Sequence, residues 1–303
     1  MAIDERLTEE VSPAAPARPM AGARSLTVHA GLLAATVLSA TLAGTALTGI
    51  EPRELVANPA LFLRGLPFAA ALVTILLVHE LGHYLTCLRY RVSASLPYFL
   101  PAPLISPVGT FGAFIRIRSR FPDRRALFDI GAAGPWAGFV VALAATVIGL
   151  AHSTVLARPQ DWHGYEWGDS LLTAFLIRVV LHVDSATVLL HPVAFAGWFG
   201  LFVTSLNLLP VGQLDGGHVL YATLGRPTPR IAALLIAFLV WLGVRGYPGW
   251  LLWAVIITVF LSLGHPPTDD DRRPLDPARR LAALATLVIF VLTFVPEPVK
   301  FVP

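Results

Sequence analysis

The sequence predicts an all-α polytopic membrane protein with about six to seven transmembrane helices, on three observations. Hydrophobic residues make up 55% of the 303-residue chain, and mean hydropathy is +0.69. Charged residues make up only 14%, against roughly 25% in ordinary soluble domains. Apolar stretches near the ~20 residues that a bilayer crossing requires recur along the chain, and most of the arginines fall in the loops between them.

Taken in order, residues 1–24 are rich in alanine, proline and charge and read as a disordered cytosolic tail. Residues 25–303 read as one integral membrane domain. Ser25 to Ile50 lacks Asp, Glu, Lys and Arg and makes a first span. Its length, and four acidic residues in the leader before it, favour a retained anchor over a cleaved signal peptide. Further spans are expected at Gly65 to Arg89, Ile130 to Ala151 and Pro192 to Gly212. A short fifth runs from Ile231 to Val244 with Arg245 snorkelling, a sixth from Pro248 to Leu263, and a seventh from Leu281 to Val295. With the N-terminus cytoplasmic, the loops on that side hold 16 of the 22 Lys and Arg residues and the opposite side holds 6. That split obeys the positive-inside rule. No convincing internal repeat stands out.

Composition also excludes some functions. The net charge is +3 and the pI near 9.3, but no aromatic-interleaved basic patch accompanies them, so nucleic acid is not an expected partner. Cys87 is the single cysteine, which rules out a disulfide within the chain. The arginine-heavy, lysine-poor usage suits a bacterium of high genomic GC content. The expected location is therefore a cell membrane, multi-pass, of the bacterial inner-membrane kind.

The second predicted span carries His79-Glu80-Leu81-Gly82-His83. On a helix, residues four apart lie one above the other, so His79 and His83 can grip one metal ion together. Glu80 then sits beside that ion, where it can take a proton from water. Two imidazoles and a carboxylate in hydrocarbon cost several kcal/mol each unless partnered, and one zinc ion partners all three. A catalytic zinc site typically has three protein ligands. Asp215 is the only acid between Asp184 and Asp269, and it follows the fourth span at the same predicted cytoplasmic end as His79 and His83. Pro210 and Gly212 break the helix before it, and Gly216-Gly217 permits a tight turn after it. Broken backbone at membrane depth is tolerated where it lines a polar cavity. The bland alternative makes Asp215 an ordinary helix-end carboxylate facing cytosol.

His-Glu-x-x-His in one span and Asn207-x-x-Pro210-x-x-x-Leu214-Asp215-Gly216-Gly217 after a later one together resemble the site-2 protease family of intramembrane zinc metalloproteases (peptidase M50). The resemblance covers about residues 65–218. It includes Gly109-Thr110-Phe111-Gly112-Ala113 and Gly134-Pro135-Trp136-Ala137-Gly138. It implies one zinc per chain held by His79, His83 and Asp215, Glu80 as general base, and Asn207 as a donor near the scissile carbonyl. Asn207 reads equally well as a tie for the broken helix. The segment Phe111 to Arg120 alternates with period two around Ile115-Arg116-Ile117-Arg118, which reads as a β-hairpin. In this family a β-like loop beside the active site is thought to hold substrate as an added strand. The arginines themselves read as a basic loop touching anionic lipid.

Many family members insert a PDZ domain between the third and fourth spans. Here His152 to His191 is 40 residues, too short for one, and a compact member is expected, without a C-terminal regulatory domain. Within that loop, Ser170 to Val183 reads as an amphipathic helix on the membrane surface. His29, His152, His163, His182 and His191 read as solvated or packed. His218 has an end-of-helix role, Cys87 is a buried thiol, and His265-Pro266-Pro267 with Asp269–Asp271 forms a rigid cytosolic connector. The function implied is endopeptidase cleavage of single-span membrane proteins within or near the bilayer, with membrane protein substrates and lipid as partners. Oligomeric state is not set by the sequence. The alternative from another class is a metal-ion transporter or channel using the same His/Glu/Asp cluster. A pseudoprotease is disfavoured by the intact Glu80.

Overall fold

A computed structural model describes residues 23–156, 164–183, 187–225, 228–260 and 265–302. The predicted tail, at residues 1–24, lies almost wholly outside them. The described chain is mainly helical. Helix α1 (Ala23–Leu47) is followed by the short α2 (Pro52–Ala57) and a 3-10 turn at Pro59–Gly65 that leads into α3 (Leu66–Arg89). Strands β1 (Tyr98–Pro101) and β2 (Thr110–Phe114) precede α4 (Arg124–Leu150). A loop region follows, with β3 (Thr154–Leu156), β4 (Gly164–Trp167), α5 (Leu171–Leu181) and β5 (Thr187–Leu189). The chain then forms α6 (Pro192–Asn207), α7 (Asp215–Leu224), α8 (Thr228–Arg245), α9 (Gly249–Phe260), α10 (Pro277–Thr293) and β6 (Val299–Val302).

Three helices, at Leu26–Leu47, Pro59–Arg89 and Arg124–Leu150, are long and apolar enough to cross a membrane. The other predicted spans take shape as shorter helices: 16 residues in α6, 18 in α8, 12 in α9 and 17 in α10. Helix α6 stops at Asn207, not Gly212, because Pro210 and the left-handed Gly212 (φ +56°) interrupt the ladder. Helix α4 starts six residues ahead of the predicted third span. Asp123 caps it, accepting a hydrogen bond from the Ala126 amide. This earlier start brings Asp129 into the helix. Arg279 of α10 pairs with it in a forked contact at 2.6 and 2.8 Å, and Tyr90 donates to the same carboxylate.

The core is built by α3, α4 and α6, with α1 against α3 and α7 against α4. Phe68, Leu72, Leu76, Phe195 and Trp198 bury one part of it, and Ile75, Ala142 and Leu201 another. The expected β element forms, with a different first strand. Strand β2 pairs antiparallel with the upstream β1, with Tyr98 opposite Phe114, instead of folding back within Phe111 to Arg120. The residues after β2 continue against 93–95 through an Ala94–Ile117 bridge. Gly109 (φ +77°) and Gly112 (φ +99°) adopt positive-φ conformations in this element that glycine accepts without strain. Ser39 of α1 donates to the Gly109 carbonyl at 2.6 Å and pins the loop to the bundle. Beyond the far end of α4, β3 pairs with β5 and β4 with β6. Helix α5 forms within the predicted surface-helix segment, capped by Ser170.

Candidate metal and catalytic centre

Helix α3 runs unbroken from Leu66 to Arg89, through Gly82, so its 3.6-residue period sets His79 and His83 on one face. Both imidazoles and Glu80 are only 6% exposed. His79 Nε2 and His83 Nε2 lie 3.1 Å apart, and Asp215 Oδ2 lies 3.3 Å from each. The centre of a triangle with edges of 3.1 to 3.3 Å is one edge divided by √3, about 1.9 Å, from every corner. An ion just off that plane would meet all three donors at the ~2.0–2.2 Å typical of zinc–nitrogen and zinc–oxygen bonds. Two imidazoles and one carboxylate suit zinc, so the donor set fits the metal in both spacing and chemistry.

Asp215 reaches this point because the chain breaks after α6 and restarts at α7 with Asp215 in its first turn. A carboxylate there also meets the positive end of the helix dipole. Gly216 and Gly217 do not make the expected turn. Both are helical, and they serve close packing: a Cβ on Gly216 would come 2.0 Å from the Leu208 carbonyl oxygen, and one on Gly217 2.3 Å from that of Gly212. His83 Nδ1 donates to the Ile130 carbonyl at 2.7 Å, since the carbonyl can only accept. That bond fixes the tautomer and leaves Nε2 as the free lone pair. Asn207, the last residue of α6, brings its amide nitrogen to 3.3 Å from His79 Nε2. The backbone amide of Ile115, just past β2, donates to the Glu80 carboxylate. His79, His83, Asp215 and Asn207 therefore come together, with Glu80 on the same helix beside them.

A family model for peptidase family M50 matches residues 67–243, which include all five. The chain belongs to peptidase family M50. Over 237 residues it is 34% identical to the "Probable zinc metalloprotease EGY1, chloroplastic" of Oryza sativa subsp. japonica, covering 76% of this chain and 40% of that protein. The protein of the same name in Arabidopsis thaliana is 33% identical over 237 residues, covering 76% and 43%. The "Probable zinc metalloprotease EGY2, chloroplastic" of Arabidopsis thaliana is 30% identical over 249 residues, covering 78% and 42%. This M50 chain thus spans somewhat under half the length of these relatives.

Two features of this M50 centre escape a reading of the sequence. On α4, Gly131, Gly134 and Gly138 make the room that the imidazoles occupy. A Cβ on Gly134 would lie 2.1 Å from His83 Nε2, one on Gly138 3.1 Å from His79 Cβ, and one on Gly131 2.7 Å from His218 Cβ. The Gly-Pro-Trp-Ala-Gly element was visible, but which side chain each glycine faces depends on how two helices cross. His218 is more than an end-of-helix residue: its Nδ1 lies 2.6 Å from His265 Nε2, and the His265 ring stacks on Tyr221. Burial holds the His265 imidazole below its ordinary pKa, which favours the neutral ring that such a pair needs. The connector holding His265 is tied down by Tyr221 donating to Asp271 at 2.7 Å and by the Asp269 and Asp270 amides bonding to the Phe121 and Pro122 carbonyls. His29 is buried and packs on Tyr98 at 4.1 Å, and Cys87 is enclosed by Val92 and Ile130.

Proposed function

We propose that this chain is an intramembrane zinc endopeptidase that cleaves single-span membrane proteins within or near the bilayer. The observation that carries the reading is the donor triangle of His79, His83 and Asp215 with Glu80 beside it, in a chain of the M50 family. Those three residues would hold the metal. Zinc, when bound, supplies a Lewis acid that acidifies water and polarises a peptide carbonyl. Glu80 accepts the proton of the attacking water at its carboxylate and later delivers it to the leaving amine. Asn207 stands within the same polar cluster and offers its amide to the substrate carbonyl as negative charge builds there. Ile130 keeps the His83 ring in register throughout.

Six to seven spans, with the active-site end cytoplasmic, follow from the arginine distribution and the apolar segments of the sequence. A cell membrane of bacterial inner-membrane type remains the proposed location, while the relatives named above carry chloroplastic names. The alternative cation pathway through the same residues has membership of a peptidase family against it.

Metal analysis beside a chelator-sensitive cleavage assay tests the reading. Wild-type protein is expected to hold one zinc per chain and to cleave a single-span model substrate until chelated. The Glu80→Gln variant is expected to keep its zinc and lose cleavage by about 10²–10⁴-fold. Cleavage by that variant at the wild-type rate would remove Glu80 as the base, and a zinc-free active protein would end the proposal.

A further inference from the structure

Beside the catalytic centre lies a cleft of about 560 Å³ that the proposed chemistry does not use. One wall is the segment following β2, and the opposite wall is formed by Gln213, His218 and Pro266-Pro267. The first wall is held rigidly. The Ser95 amide bonds to the Arg116 carbonyl at 3.0 Å, and the Arg118 amide bonds to the Ser93 carbonyl at 2.8 Å. Ile115 and Ile117 pack against the cluster of Cys87, Val92 and Ile130. The alternate residues Arg116, Arg118 and Arg120 are exposed and line the cleft. None of the three meets a carboxylate within 4 Å among the described residues, and no acidic residue lines the cleft. Arg116 and Arg118 flank the Ala94–Ile117 bridge, so these two unneutralised cations stand about 6.6 Å apart on locally extended backbone and match alternate side chains of a second extended chain, with Arg120 following a bend at Ser119.

The lining of the cleft ties it to the reaction. It includes Ile115, whose amide donates to the Glu80 carboxylate, and Gln213 in the loop that precedes Asp215. Five residues of chain separate Ile115 from Arg120, at most about 17 Å when extended. A peptide crossing the catalytic centre and continuing in extended form therefore passes the three guanidinium groups within its next several residues. We propose that Arg116, Arg118 and Arg120 form a specificity wall that selects substrates with an acidic segment just beyond the cleaved bond. This inference rests on the proteolytic reading and adds the substrate's charge to it. A lipid headgroup layer would also satisfy the arginines. A cleft lined by Ile115, the residue bonded to Glu80, favours a peptide.

The test uses full-length, zinc-loaded protein in zwitterionic phosphatidylcholine nanodiscs. Labelled single-span peptides carrying an acidic, neutral or basic flank are bound to the Glu80→Gln variant and read by fluorescence anisotropy. Cleavage of the same three peptides by the Glu80-intact protein is measured in parallel. Affinity for the acidic flank is expected to exceed that for the neutral flank about tenfold and to weaken with salt, the scale of a few exposed ion pairs. Arg116→Glu, Arg118→Glu and Arg120→Glu combined are expected to invert the order, so that the basic flank binds best, a result misfolding cannot produce. Equal affinity for all flanks, or an order unchanged in the triple variant, overturns the proposal. So does a variant altered only in binding to phosphatidylglycerol vesicles, which would give the arginines to lipid. Flank-selective binding without cleavage of any peptide upholds the wall and overturns the protease reading instead.

Discussion

The two halves of the metal centre are made in different ways. His79 and His83 come from one regular helix of 24 residues, where spacing alone brings their rings together. Asp215 comes from a chain that had to stop, cross seven residues of irregular backbone and restart as α7. The helical half is locally determined and needs clearance from its neighbour. The broken half is tertiary in origin and needs close backbone packing. Glycine serves both: Gly134 and Gly138 leave space for imidazoles, and Gly216 and Gly217 let α7 close on the loop before it. Damage to the two halves should therefore differ in kind.

The largest effect is expected from removing the tertiary ligand. Asp215→Ala should lower zinc affinity by more than about 100-fold, since losing a partner outside the coordination shell alone costs 10–100-fold. The helical pair should remain in place, as histidine NMR chemical shifts would report. Zinc content equal to wild type after dialysis would place Asp215 outside the site.

Next comes Gly134→Ala, whose added carbon would overlap His83 Nε2 at 2.1 Å. The ring must leave its position, so zinc affinity should fall about 10–100-fold with helix content unchanged by circular dichroism. Full zinc occupancy and activity in this variant would show that α3 and α4 do not cross as described. Gly216→Ala strikes the broken half through a 2.0 Å contact with backbone that cannot rotate away. Here a loss of thermal stability of about 1–3 kcal/mol should accompany a zinc loss of about tenfold. A zinc defect without any stability change would contradict the packing role. The smallest effect belongs to Gly138→Ala, where the contact with His79 is 3.1 Å and a few tenths of an ångström restore normal spacing. Cleavage should fall only a few-fold, and a null phenotype comparable to Gly134→Ala would erase the distinction between the two glycines.

Much of this was legible in the residues. The His-Glu-x-x-His spacing determines its own geometry once a helix forms, and the apolar flanks make that helix secure. Asp215 could be singled out because acids are scarce in the surrounding apolar sequence. The α6 break was also readable, since Pro210 removes an amide and Gly212 tolerates a positive φ. What misled the reading was pairing between segments. The alternation at Ile115 to Arg118 signals a strand but does not name its partner, and β1 lies upstream of a loop with no alternation of its own. Gly216-Gly217 resembles a turn because glycine does not announce whether it is present for its torsion angles or for its missing side chain.

The sequence by itself determined that the chain belongs in lipid, that one helix carries two imidazoles and a carboxylate in hydrolase spacing, and where the fourth polar group had to come from. Each follows from hydropathy or from the 3.6-residue period, properties that act within about a single helix length. Only the tertiary structure decided that Asp215 closes a triangle with edges of 3.1 to 3.3 Å, that three α4 glycines face three histidines, and that arginines line a cleft beside Glu80. Those relations join residues up to 136 positions apart, as between His79 and Asp215. They are set by how helices cross, which depends on the summed packing of many side chains and not on any short pattern.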